Sequence, residues 1–209
     1  MAKRRFYVVW NGVKPGIYGS WEECEAQIKG VNQALYKSFG TLAEAERAYA
    51  SSPFDYVGNK AKAAKTAKTP TIPSGAIIKG ALAVDAACSG NPGMMEYRGV
   101  YIATGEEIFH FGPMFGTNNI GEFLAIVHGL ALLKQKGIDI PIYSDSHNAL
   151  LWVAQKKCKT KLPRDARSEE LFGYIERAEK WLKNNSYTTR LIKWETAQWG
   201  EIPADFGRK

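Results

Sequence analysis

The sequence predicts an α/β protein in two parts, a small β-β-α-β-α unit followed by a mixed five-stranded sheet covered by helices. Two observations carry this reading. Strand-forming and helix-periodic stretches alternate along most of the chain. A lysine-rich stretch without large apolar side chains cuts that alternation in two. With 209 residues there is room for two small domains, divided as 1–52, a basic flexible linker over 53–79, and 80–209.

In the first part, Phe6-Tyr7-Val8-Val9-Trp10 is dense in β-formers and Asn11-Gly12 signals a turn. Gly16-Ile17-Tyr18 makes a second strand. Ser20 is placed to cap a helix, with Glu23 three residues on as its capping-box partner. Tyr36-Lys37-Ser38-Phe39 is a third strand, and Thr41 with Glu44 opens a last helix. Trp10 and Phe39 are expected in the core. Residues 59–70 hold no apolar side chain larger than Ala and read as a tether. In the second part, 80–88 is a strand broken by Ser89-Gly90-Asn91-Pro92-Gly93, and 97–103 pairs with 107–111 around Thr104-Gly105. Residues 120–136 form a helix with Leu124, Val127 and Ala131 on one stripe. A short buried strand over 140–144, a helix from His147, a long amphipathic helix over 168–184 and a final strand over 188–194 complete the pattern. Antiparallel strands leading into alternating helices and strands describe a mixed sheet with covered faces.

An apolar fraction of 45% and a charged fraction of 23% belong to a folded soluble chain and exclude wholesale disorder. No apolar run approaches the roughly eighteen residues of a membrane span, so no membrane partner is expected. The run behind Met1-Ala2-Lys3-Arg4-Arg5 is too short for a signal peptide, which makes a cytoplasmic location the expectation. Cys24, Cys88 and Cys158 lie far apart, so reduced thiols are expected rather than a zinc site or disulfides. No obligatory protein partner is evident. The net charge of +7 gathers forward, as +2 over 1–52, +4 over 53–79 and +1 over 80–209. A basic arm ahead of a nearly neutral body points to a polyanion, because Lys and Arg release counterions from phosphates. Solubility alone also accounts for a modest positive charge.

Acids stand at strand ends and helix starts of the second part. Asp85 lies inside Ala81-Leu82-Ala83-Val84-Asp85-Ala86-Ala87, Glu122 opens a helix, Asp145 ends an apolar strand, and Glu201 and Asp205 flank Pro203. A buried carboxylate is costly unless a positive group compensates it. No Lys or Arg lies within two residues of Asp85, Glu122 or Asp145. A hard divalent cation such as Mg²⁺ or Mn²⁺ would serve; separate capping roles for each acid are the alternative.

Val84-Asp85-Ala86-Ala87-Cys88-Ser89-Gly90-Asn91-Pro92-Gly93, Thr117-Asn118-Asn119-Ile120-Gly121-Glu122 and Tyr143-Ser144-Asp145-Ser146 resemble the three leading motifs of type 1 ribonuclease H. Residues 193–209 look like the C-terminus of a bacterial subgroup of that family. The first part, through Phe6-Tyr7-Val8-Val9, Gly16-Ile17-Tyr18, Trp21-Glu22-Glu23-Cys24 and Tyr36-Lys37-Ser38-Phe39, resembles the small hybrid-binding (viroplasmin-like) domain that precedes such enzymes. The resemblance implies an endonuclease that cuts the RNA strand of RNA–DNA hybrids and leaves 3′-OH and 5′-phosphate ends. It implies that Asp85, Glu122, Asp145 and Asp205 hold two Mg²⁺ ions, with Mn²⁺ able to substitute, and that Glu201 is an outer catalytic carboxylate. It further implies RNA-strand contacts by Gly90, Asn91, Asn118 and His147, and DNA-strand contacts by Thr117, Asn119, Thr160 and Thr196. In the small domain the implied hybrid contacts are Trp21, Tyr36 and Lys37. The threonines and Asn119 equally suit capping or turn roles, and Glu201 a surface role. The run Lys156-Lys157-Cys158-Lys159-Thr160-Lys161 suits either a nucleic-acid backbone or solvent.

Three positions depart from the family pattern. Glu195 stands where many members carry a mobile His, His147 where the subgroup often has Gln, and Lys37-Ser38 where two lysines are usual. Two competing readings remain at this level: an integrase- or transposase-like transferase on the same fold, and a non-catalytic binder of hybrid or double-stranded RNA. The Gly-Asn-Pro-Gly turn and the N-terminal module count against the first. The set of acids counts against the second, since pure binding gains nothing from repelling phosphates.

Overall fold

A computed structural model describes residues 5–31, 34–51, 53, 56 and 77–207. The tether expected over 59–70 lies outside the described residues. The chain forms two compact units.

In the first unit, strands β1 (Phe6–Asn11), β2 (Gly16–Tyr18) and β3 (Leu35–Phe39) make an antiparallel sheet in the order β2-β1-β3, with helices α1 (Trp21–Ile28) and α2 (Leu42–Ala50). Alternation along β1 divides its side chains between two packing surfaces. Val9 packs with Cys24 and Ile28 of α1. Trp10, the next residue, points the other way and donates Nε1 to the Ala48 carbonyl of α2 at 3.0 Å. Ser20 Oγ accepts the Glu23 amide as expected of a cap, but the Glu23 carboxylate reaches one residue further back, to the Gly19 amide. At Thr41 and Glu44 the reciprocal box closes fully.

In the second unit, β4 (Leu82–Gly90), β5 (Gly93–Tyr101), β6 (Glu106–Gly116), β7 (Ile142–Ser144) and β8 (Leu191–Lys193) form a mixed sheet in the order β6-β5-β4-β7-β8. The β4–β5 and β5–β6 pairs are antiparallel, and β7 and β8 add in parallel. Helices α3 (Asn118–Lys136), α4 (His147–Ala154), α5 (Glu169–Asn184) and the four-residue α6 (Thr196–Trp199) complete the unit. The strand break expected over 89–93 is a tight hairpin instead: pairing runs out to Gly90↔Gly93, leaving Asn91-Pro92 as the turn. Gly90 has φ +91°, and a Cβ on Gly93 would lie 2.1 Å from the Ser89 carbonyl oxygen, so the turn requires glycine at both ends. β8 is shorter than the expected 188–194 because its partner β7 offers only three residues. α6 is too short to show a period in the sequence.

β4 is buried from Leu82 through Ala86, including Asp85, which explains its unbroken apolar pattern. The parallel register Leu82↔Ile142 and Ala83↔Tyr143, carried two residues further, brings position 85 level with position 145. Cys24, Cys88 and Cys158 are free thiols. No helix among the described residues is long and apolar enough to cross a membrane.

Candidate metal centre and nucleic-acid interface

Asp85 projects from mid-β4, Glu122 from the early turns of α3, and Asp145 from the residue after β7. One carboxylate oxygen of each lies within 4.8 Å of the other two. Glu122 is 3% exposed and Asp85 6%. Burial, with Asp145 and Asp205 adding their negative charge, pushes the Asp85 carboxyl up to about 7. Burial and the charges of Asp85 and Asp145 raise Glu122 well above the ordinary range. Burial also raises Asp145, with Asp205 adding to the effect and its own amide and Lys193 opposing it. Glu122 Oε2 and Asp145 Oδ1 are buried without a hydrogen-bond partner. Oxygen-only donors, unpartnered buried atoms and carboxyls whose negative charge burial disfavours together fit a hard divalent metal.

The structure does not bring all five predicted acids into that group. Asp205 follows α6, and its Oδ2 accepts the Gly207 amide at 2.7 Å. It stands outside the three-acid group yet close enough to raise both Asp85 and Asp145. Glu201 is exposed in the bend after α6, outside the group.

Hydrogen bonds tie the hairpin turn to the acids. Asn91 Oδ1 accepts the Asn118 amide at 3.3 Å, and Asn118 Nδ2 donates to Glu122 Oε1 at 3.3 Å. Thr117 Oγ1 accepts the Ile120 amide at 3.4 Å, so Thr117 caps α3. Asn91, Thr117, Asn119 and Thr160 line a cleft of about 430 Å³, together with Asn148, Trp152, Lys159 and Lys161. Polar side chains and two lysines around a concavity suit a phosphate. His147, the first residue of α4, and Thr196, the first of α6, are both exposed and do not line this cleft. Sequence reasoning missed Asn148 and Trp152, whose places on α4 face the 159–163 segment only once the fold is formed. The lysine run was the one signal that pointed there.

On the first unit, the Trp21 ring is 40% exposed and lies 5.6 Å from Tyr7 and 5.8 Å from Tyr36, centroid to centroid. Lys37 does not join this trio. Strand alternation turns it to the opposite face of β3, where its Nζ donates to the Tyr56 carbonyl. Among the described residues, a cation on the side of the trio is Arg5, whose Nη1 donates to Ser38 Oγ at 3.1 Å, and Ser38 stands opposite Tyr7 in the ladder. Tyr7 and Arg5 were missed because a spacing along one strand does not display what pairs across it.

Residues 79–205 match the family model described as RNase H, and residues 5–49 match the one described as Ribonuclease H1 N-terminal domain. Ribonuclease H of Crithidia fasciculata is 55% identical over 47 residues, which is 22% of this chain and 9% of that protein. Ribonuclease H of Saccharomyces cerevisiae is 42% identical over 41 residues, 20% of this chain and 12% of that protein. The matched regions therefore span a small part of these curated relatives. Among solved structures, a ribonuclease H1 isolated from compost aligns at TM-score 0.35 and 18% identity, covering 55% of this chain and 82% of that chain. The ribonuclease H1 of the archaeon Halobacterium salinarum aligns at 0.35 and 20%, covering 56% and 86%.

Proposed function

Because the chain belongs to the ribonuclease H family, we propose that it hydrolyses the RNA strand of RNA–DNA hybrids, leaving 3′-OH and 5′-phosphate ends. One observation carries this reading: Asp85, Glu122 and Asp145, the first two buried, gather their carboxylates within 4.8 Å of one another, with unpartnered oxygens on Glu122 and Asp145. Asp85, Glu122, Asp145 and Asp205 would hold two Mg²⁺ ions, replaceable by Mn²⁺, which supply Lewis-acid stabilisation for in-line displacement at a phosphodiester. The chain's own groups do the rest. Asn118 orients Glu122 through its side-chain amide. Gly90, Asn91, Asn118 and His147 present polar groups to the RNA strand, where a ribose 2′-OH distinguishes it from DNA. The cleft lined by Thr117, Asn119, Thr160, Lys159 and Lys161 takes a phosphate of the DNA strand, and Thr196 a neighbouring one. Glu201, exposed and outside the three-acid group, moves the proton that other members assign to a mobile His and assists product departure. Residues 1–52 act as the hybrid-binding domain through Trp21, Tyr36 and Tyr7, with Arg5 on a phosphate beside them; Lys37, on the opposite face of β3, stays out of that contact. Residues 53–79 act as the tether that raises local concentration on the substrate for the catalytic domain at 80–209.

Incubation of labelled RNA–DNA hybrid, double-stranded RNA and double-stranded DNA, each with Mg²⁺ or EDTA, tests the assignment. Cleavage confined to the RNA of the hybrid and abolished by EDTA is expected. Tight hybrid binding with no cut in Mg²⁺ would make the protein a pure binder, and cutting or joining of DNA would make it a transferase.

A further inference from the structure

Opposite Asp85 in the β4–β5 ladder stands Arg98, and opposite Arg98 in the β5–β6 ladder stands His110. Directly opposed residues share a sheet face, so the face that carries Asp85 also carries a guanidinium one strand away. Its hydrogen bonds go elsewhere than to the acids. Arg98 Nε donates to the Ala204 carbonyl at 2.9 Å and Nη2 to the Asp205 carbonyl at 2.5 Å, while Nη1 meets Glu107 Oε2 at 3.3 Å.

The two carbonyls bracket the Asp205 Cα. A planar fork that takes both at once fixes the backbone on either side of that residue and leaves only its side chain to turn. The grip is braced on the outside. The Arg98 guanidinium lies 4.6 Å from the centroid of the Phe206 ring. Phe206 lies 6.0 Å from the His110 ring, centroid to centroid, and His110 Nε2 is held by Glu96 Oε2 at 2.8 Å. On the inside, Ile202 and Ala204 are buried, and the Asp205 amide donates to the Ile202 carbonyl at 2.8 Å. The short segment that ends at Asp205 has no regular element of its own to hold it, since α6 stops at Trp199.

We propose that Arg98 is a positioning residue for metal binding: its fork clasps the main chain around Asp205 and so sets that carboxylate at the edge of the three-acid group. The group's negative charge is thereby left for the cations. The inference rests on the ribonuclease H reading for the role of Asp205, but its test does not depend on cleavage alone.

The full-length chain is compared with Arg98→Gln, Arg98→Lys, Asp205→Asn and the Arg98→Gln/Asp205→Asn double variant. Mn²⁺ binding without nucleic acid is followed by calorimetry, amide hydrogen exchange by mass spectrometry over 202–207, and hybrid cleavage across a Mg²⁺ series. Arg98→Gln should raise the half-saturating metal concentration by about 10- to 100-fold, the usual effect of removing a group that orients a metal ligand. It should also speed exchange over 202–207, while hybrid affinity in EDTA stays within about twofold, as for an uncoupled site. Arg98→Lys, which keeps the charge but not the fork, should recover only part of the metal affinity. In the Asp205→Asn background, Arg98→Gln should add less than about twofold, because both act through one carboxylate. An unchanged metal requirement in Arg98→Gln, or an undiminished effect in the Asp205→Asn background, overturns the proposal. If Arg98→Gln does not fold, the Arg98→Lys comparison decides by the same measures. If the parent chain binds Mn²⁺ yet leaves the hybrid intact, the functional reading falls, and calorimetry and exchange still decide the clasp.

Discussion

Asp85, Glu122 and Asp145 were legible as a set from residue type and place alone: acids inside an apolar strand, after a strand end and at a helix start, with no cation beside them in sequence. Their electrostatics belong to the fold, because burial raises all three, with the charge of neighbouring carboxylates, Asp205 among them, adding to it. Two predictions follow at this scale. Asp85→Asn or Asp145→Asn should lower hybrid cleavage by more than about a hundredfold, a loss of about 3 kcal/mol in transition-state terms. Hybrid binding in Mg²⁺ should survive or tighten, since phosphate repulsion is reduced; residual cleavage above that level would remove the residue from the metal site. The second concerns pH. The Asp85 carboxyl stands near 7 in the fold against 3.8 in the unfolded chain, so between those values the folded state binds more protons. Metal-free stability should therefore fall as pH rises from about 4 through about 7, and Mg²⁺ should oppose the loss at the upper end. Melting temperatures across this range, with and without Mg²⁺, should show that slope flattened in Asp85→Asn; an identical slope in the variant would refute the assignment.

Among the elements, those with strong local signals were read nearly in place: the apolar β4, the α3 stripe, and the Thr41–Glu44 box at the start of α2. The β4–β5 hairpin was misread as a break, because Gly-Asn-Pro-Gly looks like a loop until the ladder shows pairing on both sides of it. That geometry makes a prediction. Gly93→Ala would place a Cβ against the Ser89 carbonyl oxygen, and the turn that sets Asn91 beside Asn118 must open. Roughly 1–3 kcal/mol of stability should be lost, seen in denaturant melts, and cleavage should drop with it; a melt unchanged from the parent would show that the turn adapts freely. In the small unit, half-exposed Trp21 covers Tyr7 and Tyr36 without filling the core. Trp21→Ala and Tyr36→Ala in the full chain should each weaken hybrid binding by roughly 1–3 kcal/mol, the usual worth of a lost stack on a base. The circular dichroism spectrum should stay that of the parent. Loss of the folded signal on truncating Trp21 would reassign the ring to the core.

For the whole molecule, the distribution of charge gives the prediction. A chain lacking 1–70 discards eleven of twenty-eight Lys and Arg residues, yet keeps every acid of the proposed centre. It should still cut hybrid, with weaker binding and a shallower dependence of affinity on salt, because that slope counts the phosphates neutralised. An unchanged slope in binding titrations at several salt concentrations would take the N-terminal region out of the binding model. The sequence by itself determined the two-part α/β plan, the family resemblance and the identity of the acids, because all three are written in local pattern and residue type. Tertiary structure alone decided which groups meet. Parallel register levels Asp85 with Asp145, α3 brings Glu122 to them, strand alternation parts Lys37 from Trp21 and Tyr36, and the β4–β5 ladder carries Arg98 to the backbone of Asp205. Each of these depends on pairing between segments remote in sequence, and register across strands leaves no trace in the spacing along any one of them.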